Sequence, residues 1–168
     1  MTLPNITLLF AAFATALMAG LFYAYSCSVN PGLGKLADTG YLAAMQSINR
    51  AILNPAFLGV FMGALLLLPL SAYFQYTPVP SLRFWLLVGA AVVYAVGLFG
   101  VTMFGNVPLN NMLDGFVIEQ ASTADIAAMR KAFEGPWNRL HAIRTVAVAV
   151  SLLLALAACI VQQEKLNV

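Results

Sequence analysis

The chain has 168 residues, of which 62% are hydrophobic and only 8% are charged, and its mean hydropathy is +0.89. Because a soluble domain has about 25% charged residues, this composition excludes a soluble globular protein and indicates one membrane-embedded domain over residues 1–168. The net charge of +2 is too small to indicate nucleic-acid binding, and the two cysteines form neither a dithiol redox motif nor a zinc motif.

Four apolar stretches are long enough to cross a bilayer, which takes about 20 helical residues. They are predicted at residues 6–28, 56–73, 83–104 and 137–161. Asn30-Pro31-Gly32 is expected to end the first helix, and two prolines in the short segment 76–80 make the second and third helices antiparallel neighbours.

Two long connections leave the spans at the same end, and each contains a segment with helical periodicity. Residues 38–53 place apolar side chains on one face and polar side chains on the other. In the second connection, Ser122 and Asp125 form a capping pattern before a surface helix on which Arg130 is expected to face water. The sequence thus predicts an all-α fold, a four-helix transmembrane bundle with short amphipathic helices in the two long connections at one end.

The distribution of basic residues predicts an orientation. Five lie in the long connections and two on the other side: Lys35, Arg50, Arg130, Lys131 and Arg139 against Arg83 and Lys165. By the positive-inside rule, the long connections are expected in the cytoplasm. We expect a multi-pass protein of a bacterial inner membrane.

The fourth span contains the main candidate site. Trp137, His141 and Arg144 are spaced i, i+4 and i+7, which places them on one helical face. An ionisable side chain at membrane depth usually faces a cavity or a partner. The histidine is suited to act as a general base near neutral pH, and the arginine to hold the resulting anion. The alternative is that all three mark the level of the lipid head groups.

Asparagines cluster at the end of the third span. Asn106 and Asn110 share a face if the helix continues, and their amides suit binding of a carbonyl or phenol. For Asn111 the preferred interpretation is capping of a broken helix.

The other candidate binding residues lie in the first connection and on the first span. They are Gln46, Asn49 and Arg50, spaced for one helical face, and Tyr23, Cys27 and Asn30, spaced i, i+4 and i+7. We expect both groups to line the same cavity as the histidine, with a solvated face as the alternative for the first group.

Four motifs resemble the DUF1772, or anthrone oxygenase-like, family of integral membrane proteins, and the resemblance covers nearly the whole chain. The motifs are Ser28–Leu33, Ala44–Arg50 followed by Asn54-Pro55, Gly105–Asn111 and Trp137–Arg144. The characterised members resemble enzymes that oxidise anthrones to anthraquinones with O2 and without a known metal or flavin. The resemblance therefore implies a cofactor-independent oxygenase that oxidises a hydrophobic phenolic or quinol-like aromatic molecule.

This chemistry requires few protein groups, since a deprotonated anthrone reacts with O2 directly. A base, an anion-binding group and a dry pocket are sufficient. We expect His141 to act as the base and Arg144, with Arg50, to bind the anion, while the asparagines orient the molecule.

Other functions fit the sequence less well. Proton-coupled export usually needs an acidic residue within a span, and the spans contain none. A haem or copper site needs more ligands than one histidine provides, so no metal or other cofactor is expected. A non-catalytic membrane subunit or binder of a quinone, lipid head group or protein partner stays open, as does a homo-oligomer. Oxygen consumption in the presence of substrate distinguishes the enzyme from the binder.

Overall fold

The computed structural model describes residues 2–161, which are helical with short connections and contain no strand. The five helices are α1 (Leu3–Leu33), α2 (Asp38–Ala51), α3 (Pro55–Phe74), α4 (Leu82–Asp114) and α5 (Thr123–Ile160). All except α2 are long and apolar enough to cross a membrane, which confirms the predicted four-helix transmembrane fold. The predicted polar tail, including Lys165, lies outside the described residues.

Unequal helix lengths shape the bundle. Helix α1 packs against α3 and α5, and α4 packs against the same two helices, so α1 and α4 stand at opposite corners. Helix α3 has 20 residues, which gives about 30 Å, the thickness of the hydrocarbon core. Helices α1, α4 and α5 have 31, 33 and 38 residues, so they extend past the start of α3.

The two ends of the bundle have different cores. At the far end, where α1 and α4 begin, Leu8, Ala72, Leu87 and Ala158 bring all four spanning helices together. At the opposite end, called the cavity end below, α2 lies across the extended helices. Its buried side chains Tyr41, Leu42 and Met45 pack against Leu113, Phe133 and Trp137. The apolar face predicted for this connecting helix is therefore the face that packs on the bundle.

The prediction that Pro31 ends the first helix is wrong. A π-helical segment, Tyr25–Val29, precedes the proline, and the Asn30 N–H donates to the Tyr25 carbonyl. Proline has no N–H and its ring collides with the carbonyl four residues earlier in a regular α-helix. The wider π turn relieves this conflict, so the helix continues to Leu33.

Helix α4 contains two π-helical segments, Tyr94–Gly100 and Thr102–Asn106, and the second stands before a proline as in α1. The π-helical segment Thr102–Asn106 lies immediately before the last α-helical turns, which contain Pro108. As a result, the third helix does not end near residue 104 as predicted but runs to Asp114. Its polar last two turns bring the asparagine cluster to the cavity end.

The surface helix predicted after Ser122 and the fourth span form one continuous helix. Ser122 and Asp125 make the expected capping box, so the helix begins where the pattern predicts. Pro136 lies within α5 and does not interrupt it. Phe133 and Trp137 are both buried on either side of the proline, so packing against the bundle keeps the two parts of the helix continuous.

Arg130 does not face water, contrary to the prediction. Its guanidinium donates to the carboxylates of Asp38 at 2.9 Å and Glu134 at 2.8 Å, and to the carbonyls of Gly34 and Leu36 at 3.0 and 2.7 Å. Only 14% of the side chain is exposed. Arg130 therefore fastens the α1–α2 connection to α5, which holds α2 across the cavity end.

Candidate functional site

A cavity of about 240 Å³ lies at the cavity end and is lined by residues from all five helices or their immediate ends. Its lining residues differ in burial, and we call the buried group the inner end and the more exposed polar group the mouth. The inner end comprises Phe22, Thr102, Trp137, His141 and Arg144, the mouth comprises Asn49, Arg50, Asn111 and Asp114, and the apolar lining residues include Leu21, Tyr25, Ile48, Phe57 and Val107. Because an apolar cavity of about 150 Å³ holds benzene, this volume suits a flat molecule of about two to three fused rings. The short helix α3 creates the space, since it begins only at the level of the cavity.

The His141 ring stacks on two aromatic rings. The Trp137 ring lies 5.3 Å away with an interplanar angle of 7°, and the Phe22 ring lies 5.4 Å away with an angle of 9°. Nε2 of the histidine is 3.0 Å from the Ser26 hydroxyl and 3.4 Å from the Thr145 hydroxyl. All these partners are uncharged, so none of them fixes a positive charge on the imidazole.

Arg144 is a buried cation beside the same rings. It is 6% exposed, and its guanidinium carbon lies 4.9 Å from the Phe22 ring centre and 5.4 Å from that of Trp137. One nitrogen donates to the Thr102 hydroxyl at 3.3 Å. Over residues 2–161 no carboxylate pairs with it and its Nε has no hydrogen-bond partner. A buried charge without a counter-ion is costly, so this position favours an anion in the cavity.

Two asparagines of α4 fix the Trp137 side chain and backbone. Nε1 of the indole donates to the Asn110 side-chain oxygen at 2.9 Å, and the Asn106 amide donates to the Trp137 carbonyl at 3.4 Å. Asn110 lines the cavity, whereas the cavity lining does not include the fully buried Asn106. The sequence predicts both asparagines on one face of the helix. Both bind Trp137, and Asn110 also lines the cavity.

The mouth carries an ion pair between α2 and α4. Nε of Arg50 lies 2.5 Å from a carboxylate oxygen of Asp114, and the two side chains are 64% and 52% exposed. Asn49, which also lines the cavity, has a buried side-chain nitrogen with no partner within the described part of the chain. Among the same residues, no three His, Cys, Asp or Glu side chains lie together as metal ligands do.

The anthrone oxygenase family model matches residues 56–154, which is more than half of the chain. The chain belongs to this family. The match includes α3, α4 and most of α5, and therefore the Gly105–Asn111 and Trp137–Arg144 motifs, while the two earlier motifs lie outside it. No curated protein and no solved structure matches the chain.

The structure brings six of the ten predicted site residues to the cavity. These are Asn49, Arg50, Asn110, Trp137, His141 and Arg144. Helix α5 is a regular α-helix from Thr123 to Ile160, so the spacing of the last three residues keeps them on one face, as predicted. The role of each residue stays a prediction.

The other four predicted residues do not line the cavity. Besides Asn106, Gln46 donates to the carbonyls of Leu113 at 2.8 Å and Phe116 at 2.9 Å, so it closes the end of α4. Tyr23 is 67% exposed on the outside of the bundle, and Asn30 lies in the turn after the π segment. Cys27, which the sequence predicts to line the cavity together with Tyr23 and Asn30, is exposed and has a free thiol.

Sequence reasoning missed several cavity residues. Phe22 and Tyr25 form the α1 wall in place of Tyr23 and Cys27, because the uniformly apolar sequence of α1 gives no signal for its inward face. Asp114 was detectable, since it follows Asn110 by four residues and shares its face once the helix is continued to its true end.

Proposed function

We propose that the protein oxidises a phenolic or quinol-like aromatic molecule with O2 in the cavity, without a cofactor. The observation that carries this proposal is Arg144, a buried guanidinium that lines the cavity without a carboxylate partner among residues 2–161. Membership of the anthrone oxygenase family supports the same reaction class.

The cavity suits a flat, weakly acidic ligand. Apolar side chains cover its sides, so a fused aromatic ring system gains free energy by leaving water or the lipid head-group region. Arg144 favours an oxygen that becomes negative, because charge that develops beside a fixed cation in a low-dielectric site is strongly stabilised. The side-chain amides of Asn49 and Asn111 at the mouth then hydrogen-bond polar substituents at the other end of the molecule.

In the proposed reaction, His141 accepts a proton and Arg144 binds the resulting anion. The electron-rich carbon of this anion forms a bond to O2, which takes up the electrons, and the resulting peroxide recovers the proton from His141 to give a hydroperoxide on that carbon. Loss of water then gives a carbonyl group. A CH2 carbon thereby loses two hydrogens, one oxygen atom enters the product, and the other leaves as water.

A specific observation favours a second function, binding without catalysis. The His141 side chain is buried and stacks on two aromatic rings, and its Nε2 is within hydrogen-bond distance of Ser26. A substrate hydroxyl has to replace one of the histidine's hydrogen bonds before it can transfer a proton. A pocket that only holds a quinone or a lipid head group does not need this exchange.

Oxygen uptake distinguishes the two functions. The protein is purified in nanodiscs and supplied with an anthrone as the probe, and uptake is measured against empty nanodiscs to subtract spontaneous oxidation. We expect stoichiometric formation of the quinone and a loss of uptake in His141→Ala. Unchanged uptake in this variant would remove the histidine from the role of base, and probe binding without uptake would establish the binder.

A further inference from the structure

The charges that line the cavity are unevenly divided between its two ends. Arg50 and Asp114 pair at the mouth, where both side chains are more than half exposed. Arg144 at the inner end is buried and has no carboxylate partner in the described chain. The lining therefore has one uncompensated positive charge, and this charge lies at the inner end.

We infer that Asp114 determines substrate specificity: it limits the cavity to aromatic molecules with an ionisable oxygen at the inner end and rejects those with a second acidic group at the mouth. This inference rests on the proposed function only in assuming that the cavity binds an aromatic molecule. It assigns Asp114 no part in the oxidation.

The geometry of the mouth supports this assignment. Asp114 lines the cavity and accepts from Nε of Arg50, so the single guanidinium that lines the mouth already has a counter-ion. A ligand carboxylate that arrives there meets a neutralised arginine and the negative charge of Asp114 itself. Like charges brought together at a binding surface weaken binding strongly. A neutral substituent meets no such repulsion and hydrogen-bonds the side-chain amides of Asn49 and Asn111.

Removal of the Asp114 carboxylate should reverse the preference for a neutral group at the mouth. In Asp114→Asn, Arg50 keeps its place on α2 but loses its counter-ion, so the mouth gains a free cation for a carboxylate. The hydrogen bond from Arg50 is retained in part, because an amide oxygen also accepts. Binding at the inner end should not change, because Asp114 touches none of the residues there through a described hydrogen bond or ion pair.

Two probes that differ by one group test the inference. They are 6-hydroxy-2-naphthoate, which can place its carboxylate on Arg144 and its neutral hydroxyl at the mouth, and naphthalene-2,6-dicarboxylate, which brings a carboxylate to the mouth in either orientation. Binding is measured by equilibrium dialysis of the protein in nanodiscs, with empty nanodiscs as the blank. Wild type should bind 6-hydroxy-2-naphthoate about tenfold or more tightly than the dicarboxylate, and Asp114→Asn should bind the dicarboxylate about tenfold more tightly than wild type does.

Asp38→Asn is the matched control. Asp38 is also an exposed carboxylate paired with an arginine at the cavity end, but it does not line the cavity. It should leave both affinities at their wild-type values. Arg50→Gln leaves the charge of Asp114 without a counter-ion, so it should weaken binding of the dicarboxylate further.

The outcomes separate the inference from the function on which it rests. If wild type binds both probes with equal affinity, the assignment of specificity to Asp114 is wrong. The same holds if Asp38→Asn increases the affinity for the dicarboxylate as much as Asp114→Asn does. In either case the cavity still binds aromatic molecules. If wild type binds neither probe, the proposed function itself fails. Retained binding of 6-hydroxy-2-naphthoate by Asp114→Asn shows that this variant is folded. If the variant does not fold, the ratio of the two wild-type affinities still tests the inference.

Discussion

The far end and the cavity end each bury an arginine, and their surroundings differ. At the far end, Arg83 is 9% exposed and donates to the Asn5 side chain at 3.1 Å. At the cavity end, Arg144 is 6% exposed and donates to Thr102. In both residues Nε has no partner in the described part of the protein. Burial alone therefore does not make a binding site.

What distinguishes the two ends is the space beside the arginine. All four spanning helices reach the far end, where small and branched side chains pack together. Helix α3 begins at Pro55, so it does not extend as far as the other spanning helices at the cavity end. The side chains of α2 fill the remaining space only in part. Arg144 thus faces an apolar space with aromatic walls, and this space, more than its charge, makes it a candidate for ligand binding.

Removal of each arginine in turn tests this difference most directly and has the largest expected effect. Arg144→Gln should lower anthrone-dependent oxygen uptake by about 100-fold or more, because the developing anion loses its buried cation. Arg83→Gln, the matched change at the far end, should retain uptake per folded molecule. Equal losses in the two variants would show that the arginines serve folding alone.

The next largest effect concerns how the cavity end is held together. Arg130→Gln should lower the free energy of unfolding by about 2 kcal/mol, since four hydrogen bonds of a largely buried guanidinium are lost or weakened. Denaturant unfolding in detergent measures the change. Arg139→Gln, an exposed position on the same helix, should change stability by less than about 0.5 kcal/mol. A similar loss in both would contradict the fastening role.

The tryptophans of the two ends provide a third comparison. Trp137→Leu removes the ring stacked on His141 and the indole bond to Asn110, so 2-naphthol binding should weaken about tenfold. Trp85 is 58% exposed at the far end, and Trp85→Leu should leave binding unchanged. Equilibrium dialysis provides both values. Undiminished affinity in Trp137→Leu would remove the tryptophan from the binding surface.

The smallest effects should be equal at the two ends. Asn54 accepts from the Phe57 N–H at the start of α3, and Ser81 accepts from the Phe84 N–H at the start of α4. Asn54→Ala and Ser81→Ala should each cost about 1 kcal/mol of stability, because a helix cap is a local interaction. A much larger loss at Asn54 would mean that this residue also supports the cavity, which would extend the difference between the ends to local structure.

The sequence alone predicts what depends on regular periodicity. Apolar length identifies the four spans, and the regular helix α5 keeps Trp137, His141 and Arg144 on one face. The prediction fails where the helix is not regular. The π segments allow Pro31 and Pro108 to lie inside helices, and no simple period reveals a π turn in advance.

A second source of error lies in polar side chains that are used by the fold itself. Gln46 has the residue type and spacing of a cavity residue, but its amide binds two carbonyls at the end of α4. Arg130 has the pattern of a solvated residue, but its guanidinium donates to carbonyls of a connection that is distant in the sequence. Such partners are far away in the sequence, so only the tertiary structure shows which polar groups remain free for a ligand.

The proline-bearing helices α1 and α4 give the chain an internal repeat. Each half consists of a long helix with a π segment ending two residues before a proline, a connection, and a helix that returns to the far end. Since α1 and α4 stand at opposite corners, as do α3 and α5, the two halves take equivalent places in the bundle. The halves differ in their returning helices, which have 20 residues in the first half and 38 in the second. The cavity lies where the first half is short, so one chain has one such site despite its two similar halves.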